Sequence, residues 1–482
     1  MKVVIVGGVA GGATAAARIR RLDERAEIVV FERSGYVSYA NCGLPYYIGG
    51  VIGSPDALTL QTPESFFTRF RVDMRVRHEV TALHPGKKTV CVKNLDTGET
   101  FEESYDKLIL SPGAKPTRPR LPGMDVPRLF TLRTVEDTFQ IKEYIQKNRP
   151  RSAILAGGGF IGLELAENLR ELGMEVTIVQ RPRQLMNPFD PDMAAFIHSE
   201  VRRHGIKLAL GRTVEGFEER NGGVDVLLKD ERPLHADMVV LAIGVTPDTS
   251  LAGDAGLKLG VKGSIVVNDR METSVPDIYA VGDAVQVKHY VTGEDAVISL
   301  AGPANKQGRI AADNVCGGDS RYLGSQGSSV IKVFDLTAAS TGINETNAKK
   351  AGLAADKVIL SPMDHAGYYP GGRVMTMKVV FERGTYRLLG AQIIGYQGVD
   401  KRIDVLAAAI HAGLKATQLK DLDLAYAPPY SSAKDPVNMA GFMVDNIAEG
   451  VLKQWHLEDA SSLPRDGSVT LLDVRTVGEY SR

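Results

Sequence analysis

Cys42 is the residue in this sequence whose type and setting most directly suggest chemistry. It lies in the run Ser38–Tyr46, with no second cysteine near it along the chain. A cysteine thiolate attacks the outer sulfur of a disulfide or persulfide and forms a mixed disulfide, which requires a thiol of low pKa. Cys91, in a predicted strand, and Cys316, after a predicted helix, have the settings of ordinary packed thiols. By residue type alone, Cys42 could also be a packing residue. Whether it is catalytic therefore depends on the elements that surround it.

The chain opens with elements that suit a bound dinucleotide. An apolar strand, a glycine-rich turn and a helix are followed by the predicted strand Glu27–Phe31. Gly7 permits the tight turn, Gly12 permits close packing of helix and strand, and the helix N-terminus offers free amides to a pyrophosphate. Glu32, twenty residues after Gly12, is placed to accept hydrogen bonds from the adenosine ribose. Val9 stands where the fingerprint has its middle glycine.

A second unit of the same kind begins about 150 residues later. The apolar run 153–156 leads into Gly157, Gly159 and Gly162, a complete G-x-G-x-x-G fingerprint, followed by a predicted helix and the strand Glu175–Val179. Two such units in one chain predict two bound dinucleotides.

The second unit leaves the choice of nicotinamide cofactor open. Its strand ends in Gln180, not in an acid, and Arg181 and Arg183 follow. Without a carboxylate to repel a 2′-phosphate, and with guanidinium groups nearby, the site is compatible with NADPH as well as NADH. Solvated loop arginines are an equally good explanation of the same residues.

A third signal is the apolar run Ile278–Val281 followed by Gly282 and Asp283, which by itself predicts only a strand and a turn. Together with the two fingerprints, this sequence resembles the pyridine nucleotide-disulfide oxidoreductases, which are flavoproteins. The resemblance implies FAD in the first unit, NADH or NADPH in the second, and Asp283 bonded to the flavin ribityl chain.

The segment around Cys42 resembles the single-cysteine branch of that family, the coenzyme A disulfide reductases and persulfide reductases. Relatives with an internal dithiol place a second cysteine a few residues away, and this chain has none there. The resemblance implies that NAD(P)H reduces the flavin and that the flavin reduces a mixed disulfide between Cys42 and coenzyme A. Coenzyme A disulfide or coenzyme A persulfide would be the substrate.

Two aromatic motifs in the last third extend the resemblance. They are His365–Gly371 and Ala425–Tyr430. The resemblance implies that Tyr368 and Tyr426 reach the active cysteine of the other subunit of a homodimer. The alternative is that both are interface packing residues, a role that suits tyrosine for its area alone.

Coenzyme A carries several phosphate charges, so its site needs local cations although the net charge of the chain is only -1. Arg18 and Arg21 lie three residues apart and share a helix face, which is also compatible with a solvated surface. The resemblance implies a group of coenzyme A contacts made up of Arg18, Arg21, Ser38, Asn41, Asn305 and Lys434.

Two other functions remain open. An NADH oxidase would pass electrons from flavin to oxygen or cycle its cysteine through sulfenic acid. The related peroxidases have a histidine in the first glycine loop, where this chain has Ala10, so peroxidase activity is disfavoured. The third possibility is a flavin-binding redox sensor without turnover.

The composition agrees with a large globular protein of several domains. The 482 residues exceed a single core, and the near-neutral charge disfavours a nucleic-acid partner. No run approaches the ~18 apolar residues of a membrane span, and three cysteines without a repeated framework favour the cytoplasm. We predict no metal site.

The predicted fold class is α/β, with two Rossmann-like domains for FAD and NAD(P) and an α+β C-terminal dimerisation domain. After Gly450 a polar segment precedes Val469–Arg475, which resembles the opening strand of a rhodanese domain without the loop that would carry its cysteine. The predicted boundaries are 1–110 and 246–325 for the FAD domain, 111–245 for the NAD(P) domain, 326–446 for dimerisation, and 447–482 for the linker and truncated rhodanese-like start.

Overall fold

The computed structural model describes residues 1–470 and 472–481. Its first unit is a five-stranded parallel sheet of β1 (Lys2–Val6), β2 (Glu27–Glu32), β3 (Asp73–Val76), β7 (Lys107–Leu110) and β19 (Ile278–Ala280). The strand order is β19-β7-β1-β2-β3, so a strand from far along the chain completes the sheet. The strands β1 and β2 are almost continuously apolar because helices and loops cover both faces of a parallel sheet. The first part of the chain contains β1 (Lys2–Val6), α1 (Ala10–Leu22), β2 (Glu27–Glu32), α2 (Leu44–Gly49), α3 (Pro63–Phe70), β3 (Asp73–Val76), β4 (His78–His84), β5 (Thr89–Asn94), β6 (Thr100–Ser104), β7 (Lys107–Leu110) and β8 (Ala114–Pro116).

The second unit repeats the first. Its parallel sheet has the order β12-β11-β10-β16-β9, in which β10 and β11 take the central places that β1 and β2 hold in the first sheet. Its elements are β9 (Leu129–Thr131), α4 (Val135–Asn148), β10 (Ser152–Ala156), α5 (Phe160–Glu171), β11 (Glu175–Gln180), α6 (Pro191–Arg203), β12 (Lys207–Leu210), β13 (Val214–Arg220), β14 (Gly223–Leu228), β15 (Leu234–Ala236), β16 (Met238–Leu241) and β17 (Val245–Pro247).

The chain then returns to the first unit. β19 pairs with β7, and α8 packs against α1 so closely that a Cβ on Gly308 would overlap the carbonyl of Gly11. These returning elements are α7 (Ser250–Asp254), β18 (Ile265–Val266), β19 (Ile278–Ala280), β20 (Val285–Lys288), β21 (Asp295–Ala296) and α8 (Ala301–Val315).

The third unit is an antiparallel sheet in the order β22-β23-β26-β25-β24, with α10 packed on it. The predicted α/β class, with two Rossmann-like units and an α+β C-terminal domain, is confirmed. The third unit and the residues after it contain β22 (Ser329–Val333), β23 (Leu336–Gly342), α9 (Glu345–Lys350), β24 (Ala355–Leu360), β25 (Thr376–Glu382), β26 (Leu388–Gly395), α10 (Val399–His411), α11 (Pro436–Ala448) and α12 (Val477–Tyr480).

The predicted strand over Val469–Arg475 is wrong for the residues that the structure describes. Leu471 lies outside the described residues, and those on either side of it form no strand. The side chains of Leu472 and Val474 are 79% and 86% exposed, so no neighbouring sheet covers them. Over the described part of the chain, no helix has the length and apolarity to cross a membrane.

Candidate active site

Cys42 lies in a short 3-10 turn, Asn41–Gly43, that leads directly into α2. Pro45 suits the first turn of that helix because its missing N–H is not needed there. The thiol is free and its side chain is exposed. The turn therefore presents Cys42 at the surface, whereas Cys91 and Cys316 are partly buried, as their predicted elements implied.

Arg133 ties the Cys42 turn to the turn that holds Asp283. Its Nη2 donates to Asp283 Oδ2 at 2.9 Å and its Nε donates to the carbonyl of Ala114 at 3.0 Å. With its amide in the orientation that satisfies both groups, Asn41 accepts from Arg133 Nη1 at 2.9 Å and donates to the Arg133 carbonyl at 3.0 Å. Two predicted site residues thus meet through an arginine that no sequence motif marks.

The charges near Cys42 do not give it the low pKa that the chemistry requires. Although the Cys42 side chain reaches solvent, the protein atoms around it partly desolvate the thiol and raise the pKa of Cys42. The negative charge of Glu164 raises it further, and Asp283 adds to the effect. Among the described residues, the guanidinium of Arg133 acts in the opposite direction and lowers the pKa of Cys42. The expectation of a low-pKa thiol is therefore not met by the polypeptide alone, because two carboxylates and desolvation outweigh one cation.

Glu164 is a second site residue that the sequence analysis missed. It projects from α5 of the second unit, and the hydroxyl of Tyr46 donates to its Oε1 at 3.4 Å. Burial raises the pKa of Glu164 to about 7, with a further contribution from the charge of Glu167. Glu164 and Glu167 lie three residues apart on one helix face, a spacing that the sequence alone could have revealed.

The two glycine loops have closely matching geometry. In the first, the amide of Gly8 donates to Glu32 Oε2 at 2.8 Å, and in the second, the amide of Gly158 donates to Gln180 Oε1 at 3.0 Å. The other carboxylate oxygen of Glu32 accepts from the Ser34 amide at 2.8 Å. Each oxygen of a carboxylate has two lone pairs, so Glu32 still has acceptor capacity for ribose hydroxyls.

Both loops fit the pyrophosphate of a dinucleotide. A Cβ on Gly12 would overlap the carbonyl of Gly7, and one on Gly162 would overlap that of Gly157, so only glycine allows this packing. Neither α1 nor α5 has a side-chain cap or an acid in its first turn, which leaves amides for an anion. A Cβ placed on Gly159 would meet no other atom of the described residues within 4 Å.

The loop after β11 is exposed. Arg181 and Arg183 both lie at the surface, and neither has a carboxylate partner within 4.0 Å among the described residues. Gly282, in contrast, is held in place, because it adopts a φ of +83° and its amide donates to Gln307 at 2.7 Å.

The predicted coenzyme A contacts fall into three places. On the packed pair α1 and α8, Arg18 pairs with Asp313 at 2.6 Å, and Thr14 donates to Asn305 at 2.8 Å. Arg21 lies over the ring of Phe70. Ser38, with a φ of +48°, and Asn41 belong to the Cys42 segment, and Lys434 lies in the third unit just before α11.

Tyr368 and Tyr426 meet in the third unit. Their hydroxyl oxygens are 2.5 Å apart, and the residues are 76% and 45% exposed. Tyr430, at 72% exposure, lies in the same motif as Tyr426. The motifs 365–371 and 425–430 thus form one exposed aromatic patch rather than two separate ones.

Several known proteins are similar to this chain over most of its length. Coenzyme A disulfide reductase of Staphylococcus aureus strain JH9 is 37% identical over 442 residues, covering 92% of this chain and 99% of that protein. The crystal structure of reduced CoADR-RHD from Bacillus anthracis is 49% identical with a TM-score of 0.94, covering 97% of this chain and 84% of that one. A NAD-dependent persulfide reductase from A. fulgidus is 38% identical with a TM-score of 0.91, covering 94% and 84%.

Most of the chain also matches one protein family. Residues 1–308 match the family described as pyridine nucleotide-disulphide oxidoreductase, and residues 328–436 match its dimerisation domain. These ranges contain both glycine loops, Cys42, the Gly282–Asp283 turn and the aromatic patch. The chain belongs to the pyridine nucleotide-disulphide oxidoreductases.

Proposed function

We propose that this oxidoreductase reduces coenzyme A disulfide or coenzyme A persulfide with NADH or NADPH, through Cys42 and a bound FAD. The observation that carries the proposal is the exposed Cys42, which has no second cysteine near it along the chain. Hydrogen bonds of Arg133 connect its turn, through Asn41, to Asp283. FAD would occupy the loop of Gly7, Gly12 and Glu32, with Gly282 and Asp283 at its ribityl chain. The nicotinamide nucleotide would occupy the loop of Gly157, Gly159 and Gly162, with Gln180 and Arg181 near its ribose.

In the proposed reaction the Cys42 thiolate attacks one sulfur of coenzyme A disulfide. The S–S bond breaks, a mixed disulfide forms on Cys42, and the departing coenzyme A thiolate takes up a proton. FAD, when bound, supplies the two-electron relay between nicotinamide and sulfur. Overall, one disulfide, one NAD(P)H and one proton give two coenzyme A thiols and NAD(P)⁺. With coenzyme A persulfide, the products are coenzyme A thiol, hydrogen sulfide and NAD(P)⁺.

The polypeptide contributes position and proton handling. Arg133 fixes the Cys42 turn and partly offsets the carboxylates that disfavour the thiolate. Glu164, whose pKa of about 7 lets it gain or lose a proton near neutrality, can exchange a proton with the thiol or the departing sulfur. Arg18, Arg21, Ser38, Asn41, Asn305 and Lys434 would bind the coenzyme A moiety.

We further propose a homodimer in which Tyr368 and Tyr426 of one subunit reach Cys42 of the other. Their exposure and their direct contact support a shared surface that a partner covers. We also propose the domain boundaries given by the sequence, 1–110 and 246–325 for FAD, 111–245 for NAD(P), 326–446 for dimerisation and 447–482 for the linker and rhodanese-like start. We propose a cytoplasmic location, which three free cysteines support.

Steady-state oxidation of NADH and NADPH tests the acceptor directly. Coenzyme A disulfide, coenzyme A persulfide and oxygen alone are compared on the same flavin-loaded preparation. The proposal expects kcat/KM with a coenzyme A substrate to exceed that with oxygen by at least about a hundredfold, or ~2.7 kcal/mol. Faster turnover with oxygen alone would identify an oxidase, and no turnover with any acceptor would identify a sensor.

A further inference from the structure

The three-stranded sheet β4-β5-β6 gathers three metal-binding side chains on one face. The ligand atoms of His84, Cys91 and Glu102 all lie within 4.8 Å of one another, and His84 Nε2 is 3.3 Å from Cys91 Sγ. We propose that these three residues form a binding site for a borderline-soft divalent cation, Zn²⁺ in particular. The site uses none of the residues assigned to the proposed reaction, so it is independent of that proposal.

A β-bulge is what brings His84 to this face. The pairing of β4 with β5 shifts between Val80 and Ala82, so that His84 lies opposite Thr89 and Ala82 lies opposite Cys91. Side chains alternate between faces, and a shift of one residue moves every later side chain to the other face. Without the bulge His84 would share the core face of Val80, and Cys91 would have no imidazole beside it.

The third strand completes the group. Cys91 lies directly opposite Glu102 in the pairing of β5 with β6, which places their side chains on the same face. His84 and Cys91 are partly buried and Glu102 is exposed, so the site is open to solvent on the carboxylate side. The hydroxyl of Thr89, opposite His84, is buried and lacks a hydrogen-bond partner among the described residues.

The spacing and the donor types suit zinc. Zn²⁺ binds cysteine sulfur at ~2.3 Å and histidine nitrogen at ~2.0 Å, and a tetrahedral angle then puts sulfur and nitrogen about 3.5 Å apart. The observed 3.3 Å is close to that value. Thiolate, imidazole and carboxylate are its usual ligands, and a water would fill the fourth position. Binding forms a zinc–thiolate bond and releases the Cys91 proton to solvent.

Sequence reading predicted no metal site because the spacing of these residues along the chain resembles no metal motif. The ligands come together only through the bulge and the pairing of three strands. A thiol–imidazole hydrogen bond between Cys91 and His84 is the competing explanation of the same contact, and the binding measurement below separates the two.

The experiment titrates untagged, reduced, flavin-loaded protein with Zn²⁺ by calorimetry and with Co²⁺ by absorption. We expect about one ion per chain, and tetrahedral Co²⁺ bands in the red region where oxidised flavin is transparent. Cys91→Ser and His84→Ala should each weaken Zn²⁺ binding by at least about a hundredfold, and Glu102→Gln by less. Flavin content and thermal unfolding check that each variant is folded.

Cys42→Ser is the matched control, since it also removes one thiol but leaves the sheet intact. It should bind Zn²⁺ as the parent protein does. Absence of binding in the parent, or binding that survives Cys91→Ser and is lost in Cys42→Ser, would overturn the proposal. If Cys91→Ser is unfolded, His84→Ala alone decides, because retention of full Zn²⁺ affinity in that variant is equally contradictory.

Discussion

The ionisation of Cys42 is decided by a few residues around it. Burial and Glu164 oppose the thiolate, while Arg133 favours it and holds the turn through Asn41. Arg133 donates through a planar fork to Asp283 and Asn41 at once, which a lysine could not reproduce. The same arginine therefore positions the Cys42 turn and favours ionisation of the thiol, although it does not outweigh the groups that oppose it.

Glu164→Gln should lower the pKa of Cys42, because it removes a negative charge that disfavours the thiolate. A group whose pKa is raised ionises only at higher pH, so removing the cause extends thiolate reactivity to lower pH. We expect the midpoint of the pH profile for alkylation of Cys42 to move to lower pH. Glu171→Gln, an exposed charge change on the same helix, is the control and should leave the midpoint in place. An unmoved midpoint in Glu164→Gln would show that Glu164 does not act on Cys42.

Two glycine loops of matching geometry are the sites that we propose for the two dinucleotides. Glu32, at the end of β2, accepts a hydrogen bond from the amide of Gly8 in its own loop. Gln180, at the end of β11, accepts one from the amide of Gly158 in its loop. The acid and the amide thus keep the same loop geometry and differ in charge. We propose that this difference in charge governs which nucleotide each loop accepts.

NADPH should serve as well as NADH to within about tenfold, or ~1.4 kcal/mol. Gln180→Glu keeps the acceptor for the Gly158 amide but adds a negative charge, so kcat/KM for NADPH should fall at least about tenfold while that for NADH changes little. Arg181→Ala should lower NADPH use in the same selective way. Two results together would contradict this: a strong preference of the parent enzyme for NADH, and no change in that preference in Arg181→Ala. They would show that the arginines point away from the ribose.

The elements themselves were largely predictable, and the contacts between them were not. The glycine loops, the strands β2, β10 and β11, and the strand bearing Cys91 follow from local apolar runs and turn residues, and all form as predicted. Arg133 and Glu164 form their hydrogen bonds with residues more than 100 positions away along the chain. The bulge at Thr81 depends on how β4 pairs with β5. Such long-range pairing leaves no periodic trace in the sequence.

In the whole molecule, the second unit is fixed to the third by buried charges. The side chain of Lys378, on β25, is 1% exposed. Its ammonium group bonds Asp192 at 2.9 Å and Asp190 at 3.1 Å, at the start of α6. Gln392 on β26 also donates to Asp190 at 2.6 Å. Removing one partner of a buried pair is strongly destabilising, so this contact holds the nucleotide unit against the dimerisation sheet.

The aromatic patch predicts complementation between two inactive variants. If the tyrosines act across a dimer, subunits carrying Cys42→Ser and subunits carrying both Tyr368→Phe and Tyr426→Phe can form hybrids with one intact site. Random mixing after co-expression should restore about a quarter of the parent's active sites, because half of the dimers are hybrids and each has one good site of two. Sedimentation should show dimers for every mixture. No gain in activity over either variant alone would place the tyrosines in their own subunit's site or outside catalysis.

Cys42→Ser, with Cys91→Ser and Cys316→Ser as matched controls, tests whether Cys42 is the nucleophile. A serine hydroxyl has too high a pKa to replace the thiolate. Cys42→Ser should retain FAD and its rapid reduction by NAD(P)H in stopped flow, and it should keep any slow oxygen consumption. Its turnover of coenzyme A disulfide and persulfide should fall by at least about a thousandfold. The two control variants should turn over at the parent rate. Turnover of coenzyme A disulfide by Cys42→Ser near the parent rate would contradict the central claim that Cys42 is the nucleophile.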